Sequence, residues 1–445
     1  MLVVEILMKS RLSVLSLALI TVCSVDSIRN LPAAALAGNQ LFYYFALALL
    51  FFLLPCAIVA VWFSRQSEQG VYGWVKQGLG NQWAFISIWF QCIQNVLIYP
   101  TLLSFIAGTL LYSISPDLVQ NKSMLFLIII FLIWSLTWIN LKGIHLSSRF
   151  NSYCSITGLI LPFIIILFVG LYWWITQVKP GTTVLPPAES YSWTSLTAII
   201  LSFCGIELAA VHARDSKQGA FPKAIAISVI TIFLTMLFGS IVLAMIIPPE
   251  QLNFISSIPQ LIQLFFNKIG YGYFAFIING LIAIGCIGAA NNWLIAPIKG
   301  LEFAINEGFL NRQLSQVNKH NAPFRLLVAQ AFCVSIISAL FLIIPSINAS
   351  YWIMLNAATQ INLLMYLLLF ISAIKIVSSK PILSKLNIMI FAYLGLAGSS
   401  ITLIVSLTPP PSLAISSKLI YALLGAIFLV IMTLIPIWKR PKVLT

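Results

Sequence analysis

Charge is what this sequence has least of. Only 8% of its 445 residues are charged, and just 10 are acidic. A water-soluble domain carries about a quarter of its residues as charges, so a soluble globular fold is excluded. Histidine is scarce too, at 3 residues, and no His, Cys, Asp or Glu set shows metal-ligand spacing. No metal and no cofactor is expected. The 7 cysteines (Cys23, Cys56, Cys92, Cys154, Cys204, Cys286, Cys333) all lie in apolar segments and read as small apolar side chains rather than disulfide partners. No phosphate-cradling glycine loop and no nucleophile–base pair stands out, which argues against an ATP-driven pump or an enzyme. Alternating ten-residue segments are absent as well, so an outer-membrane barrel is excluded.

What is there is apolar. The chain is 60% hydrophobic, with a mean hydropathy of +1.02. Its apolar runs are about 20 residues long, the length at which an α-helix crosses the hydrocarbon core. The expectation is an all-α polytopic membrane protein, a single membrane domain over 1–445. Twelve spans are read, at 11–38, 40–64, 83–114, 123–142, 153–177, 192–214, 221–247, 272–304, 324–345, 349–376, 386–407 and 414–438. The stretches 67–82 and 249–268 are amphipathic and are expected as short surface helices. Lys9, Arg11 and the small residues of "PAAALAG" mimic a signal peptide, but Asp26 and Arg29 intervene and no cleavage is expected.

The net charge of +14 is dispersed among short loops, so no nucleic-acid surface is expected. Twelve spans place both termini on one side. Among the 24 Lys and Arg residues, only Lys122, Lys179, Lys268 and Lys418 fall in loops of the opposite side, and Arg29 falls within a span. The positive-inside rule makes the basic side, with both termini, cytoplasmic.

Two carboxylates lie deep in spans: Asp26 in the first and Glu207 in the sixth. A charge at the bilayer centre costs about 2.5–3.5 kcal/mol on insertion scales, so such groups face a cavity or a partner. If 11–177 and 192–376 are two five-helix halves and 386–438 two peripheral helices, the first and sixth spans occupy matching positions. Irregular segments at matching positions point to a transporter's midplane site. In "LSFCGIELAAVHARD" Gly205 precedes Glu207 by two residues and tolerates an unwound backbone; its alternative use is close helix packing. Pro32 lacks an amide hydrogen and disfavours helical geometry in Leu31, which predicts a break near 24–31. Arg29 has three readings: it neutralises Asp26, pairs with Glu207 across the two breaks, or meets a substrate carboxylate bidentately. His212 is either a proton relay or an ordinary helix-end residue, so Glu207, Asp26 and His212 are the proton-coupling candidates.

Four stretches carry a family resemblance: "GIELAAVHARDSKQGAFPKAI", "QGVYGWVKQGLGNQWAF", "NNWLIAPIKGLEFAINEGFLNRQLSQVNKHNAP" and "INLLMYLLLFISAI". The chain resembles the amino acid–polyamine–organocation (APC) transporters, and within them the bacterial glutamate/γ-aminobutyrate antiporters. The resemblance implies a LeuT-like fold of twelve helices with a 5+5 inverted repeat, helices 1 and 6 being broken around a central amino acid or amine site. It implies secondary transport by alternating access in a bacterial inner membrane, as monomer or homodimer among membrane lipid. Antiport is favoured over proton-coupled symport; a transport-inactive sensor of the same fold is the rival from another class. By the resemblance Glu207 matches a sixth-helix glutamate beside the substrate path, Trp293 an eighth-helix tryptophan and Tyr366 a tenth-helix tyrosine. Trp293 and Tyr366 read equally well as packing aromatics. With Asp26, Arg29, Cys204, Gly205 and Asn362 they make up the candidate substrate site. The chain departs from its relatives at Asn362 and Arg29, where they carry tyrosines, and it lacks the first-helix glycine pair of the wider superfamily. The relatives' long C-terminal plug has no counterpart in "KRPKVLT" (439–445), so tail gating is not expected.

Overall fold

The computed structural model describes residues 13–67, 69–142, 154, 160–177, 185–187, 192–213, 216–217, 219–379, 385–409 and 417–438. Leu, Ile and Phe dominate these segments, and in lipid the backbone must satisfy its own N–H and C=O groups. Helices result. In chain order they are α1 Val14–Val25, α2 Leu31–Ala35, α3 Leu41–Ala48, α4 Leu54–Ser64, α5 Gly70–Leu79, α6 Asn81–Ile114, α7 Lys122–Leu141, α8 Leu161–Gln177 and α9 Ser195–Ser202. There follow α10 Ala220–Ile246, α11 Ser257–Lys268, α12 Tyr273–Asn306, α13 Phe324–Ser338, α14 Leu340–Ile343, α15 Ile347–Ser379, α16 Lys385–Val405 and α17 Lys418–Ile437. The described part is an all-α membrane protein.

Among the described residues, 9 helical segments are long and apolar enough to cross a membrane. The expected crossings not among them have specific causes. The segments 11–38 and 192–214 are interrupted, leaving α1, α2 and α9 too short. Of 153–177, only Cys154 and residues from 160 onward lie within the described set.

α6 is the central post. It packs along α12, α15 and α7, and α1 packs along α10. Pro100 sits inside α6 and deprives the Val96 carbonyl of its helical donor, beside the buried Tyr99 and Thr101. α3 and α4 are joined through a π-helical turn, Leu49–Leu53.

The two amphipathic stretches differ from expectation in one respect. Gly70–Leu79 forms α5, but it is not a surface helix: Tyr72 and Trp74 are fully buried. Trp74 stacks on Phe63 with ring centroids 5.1 Å apart, Tyr72 stacks on Phe303 at 5.7 Å, and Ser372 of α15 donates to the Trp74 carbonyl at 2.7 Å. Its apolar face is thus consumed by α4, α12 and α15. α11 keeps one open face, since Ile258, Leu261, Ile262 and Phe265 are buried while Leu264 is exposed.

Candidate functional site

The site is built on two interruptions. α1 ends when Asp26, at φ −66 and ψ 133, turns extended, and Ser27 follows at φ −147 and ψ 108. Ile28–Asn30 then forms a single 3-10 turn before α2 resumes. The break falls within the expected 24–31, at Asp26 and Ser27, but Leu31 itself is helical (φ −57, ψ −43) and its N–H donates to the Ile28 carbonyl. In a continuous α-helix that carbonyl would look to residue 32, which is a proline without N–H. The tighter 3-10 bond supplies the missing donor.

In the sixth apolar segment α9 stops at Ser202, and Phe203–Gly205 turns the chain before a 3-10 stretch, Ile206–His212. Gly205 has φ +108 and ψ −4, a backbone region that L side chains rarely adopt. Its N–H donates to the Tyr366 hydroxyl at 3.0 Å and to Glu207 Oε2 at 3.2 Å, and the Tyr366 hydroxyl donates to the same Oε2 at 2.5 Å. Tyr366 is fixed edge-on to Phe52, with centroids 4.8 Å apart. Glu207 is therefore a buried acceptor that ties the break to α15.

Between the two interruptions lies a small cavity of about 40 Å³. Asp26, Arg29, Asn30, Tyr99, Cys204 and Trp293 are among the residues lining it. Asp26 is 3% exposed, Arg29 8% and Asn30 2%. The Thr235 hydroxyl of α10 donates to Asp26 Oδ2 at 2.6 Å. Arg29 Nη1 donates to the Thr101 hydroxyl of α6 at 2.9 Å, and the Arg29 carbonyl accepts from the Tyr351 hydroxyl at 3.3 Å. Asp26 Oδ1, Arg29 Nε and Asn30 Oδ1 are buried without a hydrogen-bond partner. Neither Asp26 nor Glu207 forms an ion pair with Arg29; among the described residues the one such pair joins Lys76 to Glu307.

The residues singled out in the sequence fall into two adjoining groups. Asp26, Arg29, Cys204 and Trp293 line the cavity. Gly205, Glu207 and Tyr366 form the hydrogen-bonded knot behind it, and Asn362 and Tyr366 both approach the Cys204 thiol. Trp293 links the groups: a Cβ on Gly205 would stand 3.2 Å from its Cζ2. Asn95 of α6 donates to the Trp293 carbonyl at 2.9 Å, and Gln330 donates to Asn95 at 2.9 Å. The side chain of His212 lies outside the described residues. Thr101, Thr235, Asn30 and Tyr99 were not foreseen. Pro100 inside a long apolar run was the one available signal for the first and last of the α6 residues; Thr235 had none. Among the described residues no three His, Cys, Asp or Glu side chains gather as metal ligands would.

A model of the amino acid permease family matches residues 12–432. The chain is 36% identical over 383 residues to an uncharacterized transporter of Legionella pneumophila, covering 84% of this chain and 82% of that one. It is 24% identical over 452 residues to a glutamate/gamma-aminobutyrate antiporter of Lactococcus lactis, covering 96% and 90%. It is 23% identical over 317 residues to the putrescine transporter PotE of Escherichia coli, covering 69% of each. A match spanning both backbone interruptions and nearly every helix leaves one conclusion: the chain belongs to the amino acid permease family of the APC transporters, whose fold is LeuT-like, and it is an amino acid or amine transporter, not an enzyme.

Proposed function

We propose that this permease is an amino acid/amine antiporter of the glutamate/γ-aminobutyrate type, working by alternating access around the cavity between the two breaks. In this reading twelve helices form two inverted five-helix halves, 11–177 and 192–376, with 386–438 peripheral. Both termini face the cytoplasm of a bacterial inner membrane, in keeping with the lysine and arginine bias of the loops. The names of distant relatives favour exchange, including the glutamate/gamma-aminobutyrate antiporter and an arginine/ornithine antiporter of Latilactobacillus sakei.

One observation carries the reading: Arg29, buried at the first break, has a hydroxyl partner and, among the described residues, no carboxylate partner. A guanidinium at this depth is costly unless an anion meets it, and its fork matches a carboxylate's two oxygens. The solute's carboxylate is the anion that a permease of this family would bring there. Trp293 then borders the bound solute, and the Gly205–Tyr366–Glu207 knot behind the cavity holds the second break in shape.

Exchange in reconstituted vesicles tests this. Labelled glutamate or γ-aminobutyrate should enter only when the vesicles hold an unlabelled counter-solute. Arg29→Gln should weaken half-saturation roughly 12- to 150-fold, the effect of losing charge-assisted hydrogen bonds of about 1.5–3 kcal/mol. Uptake driven by a pH gradient without counter-solute would replace antiport with symport. Binding without flux would make the protein a sensor.

A further inference from the structure

Asp26 and Arg29 are opposite charges three residues apart in one buried turn, yet they do not meet. The chemistry of two threonines explains why. A guanidinium only donates and a carboxylate only accepts, whereas a hydroxyl does both. Thr101 spends its hydrogen on the Ile98 carbonyl at 2.7 Å and offers Arg29 its oxygen. Thr235 also has backbone carbonyls in reach, Thr231 at 2.8 Å and Ile232 at 3.1 Å. Its shortest contact is Asp26 Oδ2 at 2.6 Å, and a carboxylate oxygen can only accept, so the hydroxyl hydrogen is directed there. The threonines belong to different helices, α6 and α10, so the two charges are held by different walls of the molecule.

What is left over has a definite pattern. Two buried acceptors, Asp26 Oδ1 and Asn30 Oδ1, lack donors, and one buried donor, Arg29 Nε, lacks an acceptor. All three residues line the same cavity. Buried polar atoms in native structures nearly always find partners, so three in one turn point to a ligand that completes them. An ammonium group supplies three donors, a carboxylate supplies acceptors, and one solute carrying both would fill the set.

We infer that Asp26, held by Thr235, reads the ammonium of the solute, so that the cavity selects zwitterions over the matching amines and organic acids. The inference rests on the carboxylate reading of Arg29 and adds the other half of the ligand. A ligand with only an amine leaves Arg29 unanswered; one with only a carboxylate leaves Asp26 and Asn30 unanswered. Sites built to hydrogen-bond a group discriminate strongly against analogues without it.

Purified protein in detergent provides the test, by competition against bound labelled γ-aminobutyrate or alanine. The competitors are two matched triplets: γ-aminobutyrate, butylamine and butyrate; and alanine, ethylamine and propionate. In at least one triplet the zwitterion should bind at least tenfold more tightly than either partner. Asp26→Asn should erase the advantage over the acid while leaving the acid's own affinity unchanged, and Arg29→Gln should do the converse. Thr235→Val should weaken the zwitterion but not the acid; equal weakening of both would make Thr235 merely structural and overturn its part. If Asp26→Asn does not fold, the wild-type triplets and Thr235→Val decide. Binding of the acid as tightly as the zwitterion, with both lost in Arg29→Gln, would overturn the ammonium reading and leave the carboxylate reading intact. Binding of neither zwitterion would overturn the inference. Selective zwitterion binding without vesicle exchange would uphold it and reject the exchanger.

Discussion

Alanine at position 205 should cripple the second break. Gly205 sits at φ +108 and ψ −4, where a non-glycine residue costs about 1–3 kcal/mol. Space adds to the conformational cost. The new Cβ would stand 3.2 Å from Trp293 Cζ2 and 3.3 Å from Cη2, closer than ordinary van der Waals contact, so the indole must yield by a few tenths of an ångström. Alanine also favours continuing α9 as a helix, by about 1 kcal/mol over glycine. A continued helix would withdraw the Gly205 N–H from Tyr366 and Glu207. We expect an effect of about 1–3 kcal/mol on binding, roughly a 5- to 150-fold loss of solute affinity.

Gly280→Ala is the internal control. Gly280 lies within α12 and a Cβ there would meet nothing within 4 Å, so alanine should be neutral or mildly stabilising. Both variants should be measured for half-saturation of exchange and for thermal unfolding in detergent. Adding Trp293→Phe to Gly205→Ala should recover the steric share of the loss and not the backbone share. Gly205→Ala behaving like Gly280→Ala would refute the argument that the unwound turn is required.

Two further expectations concern hydrogen bonds and ion pairs. Tyr366→Phe removes the hydroxyl that donates to Glu207 and accepts from Gly205, which should cost about 1–3 kcal/mol, whereas Glu207→Gln retains an acceptor oxygen and should cost less. Because the three groups share one knot, the double variant should fall short of the sum in a thermal-unfolding cycle; additivity would dissolve the knot. At the membrane-flanking end of α12, burial pushes the Glu307 carboxyl up, but the Lys76 ammonium and Tyr72 hydroxyl outweigh it and hold it below its ordinary value. A depressed carboxyl stabilises the fold above its unfolded pKa of about 4.3 and loses that stabilisation as pH falls through the lower folded value. Wild type should thus lose more unfolding temperature than Glu307→Gln between pH 5 and about 3. The difference should be small, under ~1 kcal/mol, because Lys76 is 37% exposed. Parallel acid profiles would remove the pair from the stability of that end.

Apolar run length made most of the helices legible, since length and hydropathy alone fix whether a segment can cross lipid. The interrupted segments are where that reading weakens. Pro32 signalled the break within 24–31 but not its inner geometry: the tighter 3-10 bond from Leu31 to Ile28 keeps Leu31 helical and leaves Asp26 and Ser27 as the extended residues. Amphipathicity marked α5 as a helix but not its burial, which depends on aromatic partners in α4 and α12 that no local pattern reveals. The charged residues of the site stood out against lipid. Their partners did not: a threonine in an apolar run reads as filler, and only the packing of α6 and α10 against the first break turns Thr101 and Thr235 into anchors. The contact between Glu207 and Tyr366 spans 159 positions of sequence and was likewise invisible.

Those anchors bear on how a solute would couple to the transport cycle. The first break is tied through Asp26 to α10 and through Arg29 to α6, so its shape depends on two walls at once. Held by different walls, the two charges do not close the turn on each other. Instead three polar atoms remain unsatisfied, each costing about 1–3 kcal/mol while it stays so. A solute that fills them recovers that free energy only where both walls stand as they do here. In an arrangement that moves α10 away from α6 the same solute meets one charge at a time and binds more weakly. A ligand shifts a conformational equilibrium by its differential affinity for the two arrangements and by nothing else. Splitting the two halves of the solute's recognition between separately held charges is a direct way to create such a difference.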